Sequence, residues 1–532
     1  MGAPVVDGSN PSRAISGGAS RRGSGRLVGF GRDPEAQALS DNVDFHQLGL
    51  ERGESKLRLM QRTTLISLVW VSSILVSESV SLAQNAVKPP ETPLTLDQAI
   101  DFALANYPAV QASMERAVAS KEGVGLSRTA YLPRTDLLWQ TNRATRNNIF
   151  GSLLPQSVIP PISGPVLSST SDRGVWGSAG GVLVSWEPFD FGYRGATVDV
   201  ARATQERANA QLSLTKLDVA GAAGDAFLRL AAAQQQVKSA QADVERRQVL
   251  ATSVHALVKE ELRPGADASR ADAELAAAKI QLIRAQEVER ESEATFAELL
   301  GISGSHVAIN ADSLLSSPPT SYDAQATLAN HPAAQVVNST LFETKAREKV
   351  LSKSYYPRFN LQGSFSGRGS GANPDGTFGT GTDGLGLMRQ NWAAGVTVTF
   401  SVLDLPALHF KKQIEQANER AQQSEYNRTM QNLTAQSERA KAAYDSAVLI
   451  SQNTPVELDA ARSGETQATA RYKAALAPIV EVADAQRLLL QAEIEDNLAR
   501  LTVWRAMLGE ALAQGDLQPF LELARKRAAG GQ

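Results

Sequence analysis

The sequence has 532 residues, with 53 Lys or Arg against 56 Asp or Glu, so its formal net charge is −3. This balance argues against a nucleic-acid-binding protein, because such proteins usually show a strong basic excess. The absence of cysteine excludes disulfides, thiolate metal sites and a cysteine nucleophile.

The N-terminal region contains two segments of different composition. Residues 1–59 are rich in Gly, Ser and Arg without hydrophobic periodicity, which predicts a disordered extension. An apolar run from Leu65 to Val76, preceded by two arginines and followed by Ser81-Leu82-Ala83, has the layout of a secretory signal and is too short to span a bilayer. We therefore predict a signal peptide over 60–83 and hypothesise that translation starts at Met60. The alternative is a buried core helix.

The rest of the chain is duplicated. Asn106-Tyr107-Pro108-Ala109 recurs as Asn330-His331-Pro332-Ala333, and Tyr131-Leu132-Pro133-Arg134 recurs as Tyr355-Tyr356-Pro357-Arg358. Both pairs are 224 residues apart, since 332−108 and 357−133 each give 224. Further on, Asp272-Ala273 matches Asp484-Ala485 at an offset of 212. We interpret residues 94–300 and 321–515 as two structural repeats, joined by a linker at 301–320 and followed by a C-terminal tail at 516–532.

Each repeat shows the same order of predicted elements. A helix comes first (Leu94–Leu132; Ala324–Tyr355) and ends at a proline. Two strands with one apolar and one polar face follow, as in the alternation of Val396, Val398 and Phe400 with polar neighbours.

A very long helix comes next. From Arg194 to Leu262 there is no proline, and its 68 residue steps (262−194) correspond to about 100 Å. The chain then reverses at Pro264-Gly265 into a returning helix, and Ala477-Pro478 marks the equivalent reversal in the second repeat. A helix of this length is stable only when it packs against other helices.

The strands set a second physical requirement. If they meet lipid, the four strands of one chain cannot close a barrel, because open edges are not tolerated in a bilayer and the smallest barrels have about eight strands. Three chains would give about twelve. The alternative is a soluble periplasmic coiled-coil scaffold, which accounts for the helices but not for the secretory signal together with two equivalent strand pairs.

Three motifs resemble the TolC family of outer-membrane efflux proteins. They are the opening Leu94-Thr95-Leu96-Asp97-Gln98-Ala99-Ile100, the strand-to-helix segment Ser185–Arg194, and Arg471-Tyr472 followed by Val480–Gln486. The resemblance implies a mainly α fold with a transmembrane β-barrel, in which three protomers share twelve strands above a tunnel of long helical hairpins.

The same resemblance implies a passive, non-enzymatic export channel of the bacterial outer membrane that extends into the periplasm. Its expected partners are two further copies of the chain, the lipid bilayer, a periplasmic adaptor protein and an inner-membrane pump, which together expel small solutes or drugs. The outer component of a type I protein-secretion system is the alternative with the same architecture. No cofactor or metal is expected.

The resemblance also indicates candidate functional residues at the helix reversals. Glu481 and Asp484 match two acidic residues that line the closed tip, although they could also be ordinary solvated helix charges. The adaptor would contact Arg263, Pro264 and Gly265 of one reversal and Leu476, Ala477 and Pro478 of the other. The chain departs from the family pattern at Ala475, where a glycine is usual, and at Ala477, where a basic residue often helps to lock the tip.

No catalytic constellation is apparent in the sequence. The five histidines are scattered, without a pair at metal-ligand spacing. The glycine-rich run from Gly367 to Gly386 lacks the Lys-Ser/Thr ending of a phosphate-binding loop and is predicted to be an extracellular loop.

Overall fold

The computed structural model of the chain describes residues 88–147, 154–160, 170–315, 327–373, 375 and 377–530. The predicted extension at 1–59 and the predicted signal peptide at 60–83 lie outside these residues. Within the described ranges, no helix combines the length and apolar character needed to cross a membrane.

The described chain is mainly helical, with four strands. Its elements are α1 Leu96–Asn106, α2 Pro108–Thr129, β1 Arg134–Thr145, β2 Gly174–Phe189, α3 Tyr193–Lys259, α4 Gly265–Leu299, α5 Asp312–Leu315, α6 Pro332–Lys353, β3 Arg358–Ser370, β4 Arg389–Thr399, α7 Leu405–Lys473, α8 Ile479–Gln514 and α9 Gln518–Gly530. The predicted fold class, with long helical hairpins and four strands, is confirmed.

The first helix of each repeat begins later than the periodicity suggested. The predicted helix Leu94–Leu132 is wrong as a single element, because it is broken at Tyr107, which has an extended backbone (φ −68°, ψ 126°). Proline disfavours the helical conformation in the residue before it and suits the first position of a new helix. In the second repeat the helix likewise starts at Pro332, and the predicted start at Ala324 lies outside the described residues. The repeated Asn-x-Pro motif is therefore a helix start.

The four strands form one antiparallel sheet in the order β1-β2-β3-β4. Residues paired across neighbouring strands point to the same face. One such row is Leu137, Val182, Phe365 and Trp392. A row on the other face is Asp136, Leu183, Ser364 and Ala393. The first face presents large exposed apolar side chains, with Leu137 and Trp392 each 79% exposed. The predicted alternation of the strands is thus confirmed.

The helices pack side by side in a layer that is four helices wide, and each of the four positions across this layer is called a lane. In the half next to the strands the order is α2–α3–α6–α7, and in the half next to the helix reversals it is α4–α3–α8–α7. The 67-residue α3 and the 69-residue α7 run through both halves, whereas the shorter helices occupy only one. This arrangement provides the lateral packing that the long helices need.

Two of the lanes contain a joint where one helix ends and another begins. α8 ends at Gly515 (φ +79°), and a Cβ on this glycine would lie 2.7 Å from the ring of His331, just before α6. In the other lane Gly301 (φ +75°) follows the end of α4. A Cβ on this glycine would lie 3.0 Å from the carbonyl oxygen of Asn106, just before α2. Only glycine combines the left-handed backbone with this close approach.

The main hydrophobic core surrounds these joints. α3 approaches α8 closely because Gly221 and Gly224 have no side chain, so that Leu512 and Leu508 pack directly on the α3 backbone. The C-terminal tail that was predicted at 516–532 contains α9, whose Phe520 packs edge-on against Trp504 with ring centroids 6.2 Å apart. Both aromatic side chains are almost fully buried.

A buried ion pair fixes the passage from sheet to helix in the first repeat. Asp190 Oδ2 lies 2.8 Å from Arg194 Nε and accepts the Arg194 backbone N–H at 2.7 Å. Burial by itself would raise the pKa of the Asp190 carboxyl, but these hydrogen bonds and the Gly192 N–H hold it below its usual range. Arg194 also donates to the Ala130 carbonyl, so one side chain joins the ends of α2, β2 and α3.

We expect the joint between α8 and α6 to weaken in acid. His331 is 5% exposed; its Nδ1 accepts the Ala333 N–H and its Nε2–H donates to the Leu512 carbonyl, each at 3.1 Å. Burial lowers the pKa of His331, although the Leu512 carbonyl and the Asp218 carboxylate partly oppose this effect. A histidine whose pKa is lowered on folding costs stability as the pH falls from its ordinary value of about 6.5 through the lowered one.

His331→Asn retains an N-terminal cap but cannot titrate. The apparent melting temperature of the wild type in detergent should therefore fall more than that of the variant between pH 7.5 and pH 5. Exposed His409 on α7 provides the control, and His409→Asn should keep the wild-type pH dependence. Equal pH dependence of wild type and His331→Asn would contradict the expectation.

Candidate functional site: the helix reversals

The two helix reversals have the same backbone geometry. After α3, the N–H of Leu262 donates to the Leu257 carbonyl at 2.9 Å; after α7, the N–H of Leu476 donates to the Arg471 carbonyl at 2.8 Å. The residue before each leucine, Glu261 or Ala475, adopts a left-handed conformation with φ of 56° or 61°. This is the Schellman pattern of helix termination. Pro264 and Pro478 then start the returning helices from an extended backbone.

Equivalent positions in the two reversals are 214 residues apart, since 475−261 and 478−264 each give 214. The pairing of Asp272 with Asp484 at an offset of 212 is therefore wrong at the level of structure. At an offset of 214 the counterpart of Asp484 is Arg270, and Glu481 corresponds to Asp267. The two returning helices thus carry the same charge at the Glu481 position and opposite charges at the Asp484 position.

The two reversals are joined by a cluster of three side chains. The Arg263 guanidinium lies over the Tyr472 ring, 4.4 Å from its centroid, and donates to the Tyr472 carbonyl. The Tyr472 hydroxyl donates to Asp267 Oδ2 at 3.2 Å. Burial, together with the nearby Asp267 carboxylate, raises the pKa of Tyr472. The Tyr472 hydroxyl therefore keeps its proton and donates it in the hydrogen bond to Asp267.

Arg263 occupies the position equivalent to Ala477, since 477−263 also gives 214. Ala477 itself is buried and offers no charge to the tip. A basic residue near this tip is Arg263 of the first reversal, which makes a cation–π contact with Tyr472 of the second. The sequence motif identified Tyr472, but neither its cation–π contact with Arg263 nor its hydrogen bond to Asp267 was predicted.

Glu481 and Asp484 lie in the first two turns of α8. Glu481 Oε1 is 3.4 Å from Arg471 Nη1, and Asp484 Oδ1 is 3.7 Å from Arg487 Nη2. The side chain of Asp484 is 64% exposed. Spacing by three residues brings both carboxylates to one side of the helix. The same exposed stripe continues through Gln491 and Glu495.

Of the other predicted tip residues, Leu476 is 72% exposed and Gly265 has open space around its Cα. Arg263, Pro264 and Gly265 belong to one reversal and Leu476, Ala477 and Pro478 to the other, and the Arg263–Tyr472 contact brings the two reversals together. In the part of the chain that the structure describes, no group of three His, Asp or Glu side chains is placed to hold a metal ion.

A family model described as "Outer membrane efflux protein" matches residues 99–302, which span the first repeat from α1 to the end of α4. The first repeat of the chain thus carries the sequence pattern of the outer membrane efflux proteins. A search of curated proteins gives no significant match.

Solved structures of outer-membrane channels share the fold of this efflux protein. The Campylobacter jejuni CmeC channel has a TM-score of 0.64 at 14% identity, over 79% of this chain and 85% of that one. Vibrio cholerae VceC has a TM-score of 0.62 at 16% identity, over 79% and 96%. The open state of Neisseria gonorrhoeae MtrE has a TM-score of 0.61 at 16% identity, over 83% and 97%. At these identities the similarity is one of fold.

With this match over the first repeat and this fold, the chain is a non-enzymatic outer-membrane efflux channel that extends into the periplasm. Its strands and its helix reversals lie at opposite ends of α3 and α7. The reversals therefore lie at the end of the long helices remote from the sheet.

The left-handed backbone at Ala475 predicts a stabilising substitution. A residue with a Cβ in this conformation costs about 1–2 kcal/mol, part of which is offset by the greater freedom of glycine in the unfolded chain. Ala475→Gly should therefore stabilise the efflux protein by about 0.5–1 kcal/mol in urea unfolding. Neighbouring Ala474 has a negative φ of −80° and is the control. No gain for Ala475→Gly over Ala474→Gly would refute this reading of the turn.

Proposed function

We propose that this efflux protein works as a homotrimer in which three copies of the sheet close a twelve-stranded barrel and three copies of the helical layer close a tunnel. Small solutes or drugs leave the cell through this tunnel. The channel itself is passive, and the energy comes from an inner-membrane pump that a periplasmic adaptor links to the channel. The trimer, the adaptor, the pump and the cargo class are parts of this proposal.

The open edges of the protomer are the observation that supports the trimer. The sheet ends at β1 and β4, and no described strand pairs with their outer sides. An unpaired strand edge in lipid leaves backbone groups without partners, at several kcal/mol each. Three copies of four strands give twelve, an even number within the range of known barrels.

The helical layer is open at the same two sides. One edge consists of α2 and α4 and the other of α7. Large apolar side chains on these edge helices are exposed, namely Met114, Val118, Leu126, Ile280, Ile283, Phe410 and Ile414. Contact between α7 of one copy and α2 and α4 of the next would bury them. Sheet and helices thus require the same neighbours.

The helix reversals support the proposed adaptor contact. A groove of about 480 Å³ lies between α3 and α7 close to both reversals and is lined by Leu250, Leu257, Thr469, Tyr472 and Gln486, among others. Leu476, in the reversal that follows α7, is exposed as well. An adaptor helix with one apolar face would fit such a groove.

The experiment that tests this function combines the mass of the detergent-solubilised particle with its conductance in a planar bilayer. A particle of three chains that conducts ions would support the proposal. A water-soluble single chain that passes no current would overturn it.

The role of Glu481 and Asp484 can be tested in the same bilayers. In the proposed trimer they form two acidic rings around the axis, which favour cations in a narrow passage. The double variant Glu481→Ala/Asp484→Ala should reduce cation preference and block by multivalent cations. The charge-retaining variant Glu481→Asp/Asp484→Glu is the control and should keep both properties. Unchanged selectivity in the alanine variant would exclude these residues from the gate.

A further inference from the structure

The apolar face of the sheet carries one charged side chain at its outer end. The residues that the described strands place on this face alternate along β1, β2, β3 and β4 in the register that links Leu137, Val182, Phe365 and Trp392. Among them Arg143 is the only charged one. An isolated charge beside a lipid-facing band requires a local partner.

Arg143 lies at the end of the sheet that faces the cell exterior. β1 begins five residues after α2 ends, and β2 ends just before α3, so the helices adjoin the opposite end of the sheet. Because the helices of this efflux protein extend into the periplasm, Thr145 and Gly174 mark the outer rim. Arg143 is about 14 Å along the strand beyond Trp139, at 3.4 Å per residue. This is the boundary where aromatic and basic residues meet lipid headgroups.

The surroundings hold the guanidinium in place but leave its charge without a carboxylate. Arg143 pairs with Trp176 across β1 and β2, and its guanidinium carbon lies 5.7 Å from the Trp176 ring centroid. Gly174 leaves room for it, since a Cβ there would come within 3.2 Å of Arg143 Nε. Among the described residues, no ion pair involves Arg143.

Few carboxylates lie near this rim, and those of the β3–β4 connection are already hydrogen-bonded. From residue 137 to residue 186 Asp172 is the only acidic residue, against Arg143, Arg146 and Arg173. In the β3–β4 connection Asp375 accepts hydrogen bonds from Thr377, and Asp383 accepts one from the Thr380 N–H. In the proposed trimer β4 of a neighbouring copy would pair with β1, and its residues on this face, from Gln390 to Val398, bring no charge. The missing anion must therefore come from outside the protein.

We propose that Arg143, supported by Trp176 and the exposed Arg173 at the rim, binds the phosphate of a lipid headgroup in the outer leaflet. A guanidinium forms paired, charge-assisted hydrogen bonds with phosphate oxygens. The acyl chains of such a lipid would lie along the apolar row that contains Leu137 and Trp139. The inference rests on the outer-membrane location of the family and not on the trimer.

The test uses the full-length protein in non-ionic detergent and measures lipid binding by native mass spectrometry. The probes are a bisphosphorylated lipid A and the same lipid without its phosphates. We expect Arg143→Gln to weaken binding of the phosphorylated lipid by about tenfold, as is usual for the loss of a charge-assisted bond. Arg143→Lys keeps the positive charge but lacks the paired N–H donors of the guanidinium, so it should give an intermediate loss of binding. This variant replaces Arg143→Gln in the test if the glutamine variant does not assemble.

Arg134 provides the matched control. It lies at the inner end of the same strand, has 79% of its side chain exposed and pairs with Asp136. Arg134→Gln should bind the phosphorylated lipid like the wild type. Equal binding of the dephosphorylated lipid, or equal losses in Arg134→Gln and Arg143→Gln, would overturn the proposal. Competition by inorganic phosphate at the same concentration as the lipid would show a free-anion site and would also overturn it.

Discussion

The continuity of α3 and α7 is the constraint on which the rest of the molecule depends. Helices of 67 and 69 residues have no stability of their own in water and need a partner at every turn. α2, α4, α6 and α8 supply these partners lane by lane, and the strands extend from the same layer. The duplication in the sequence follows from this constraint, because each repeat provides one long helix, its two short partners and one strand pair.

The fold was largely predictable because its signals are long or repeated. In the proline-free run after Arg194, and in the period-two alternation near Val396, many residues support the prediction of one element. The break at Tyr107 was missed because the residues on both sides, from Leu96 to Thr129, are good helix formers. Only the local geometry imposed by Pro108 divides them, and a single residue is a weak signal within a periodic segment.

The site was predictable in part. Resemblance identified the reversals and the Arg471-Tyr472 motif, but the contact between Arg263 and Tyr472 joins residues 209 positions apart. The hydrophobic periodicity of a single sequence predicts helices and strands but does not predict a contact between two distant side chains. The neutral Tyr472 hydroxyl and the left-handed Ala475 also depend on burial and backbone conformation that composition does not reveal. The alanine at position 477 therefore gave no indication that Arg263 contacts Tyr472.

The two helix joints have a mechanical consequence. Gly515 and Gly301 both lie beside the part of α3 around Gly221 and Phe227, so two of the four lanes are interrupted at nearly the same height. Only α3 and α7 cross this height as continuous helices, whereas the other two lanes are joined through side chains, hydrogen bonds and the core packed around the joints. The stiffness of the layer at this height therefore comes from two unbroken helices and from the packing of that core.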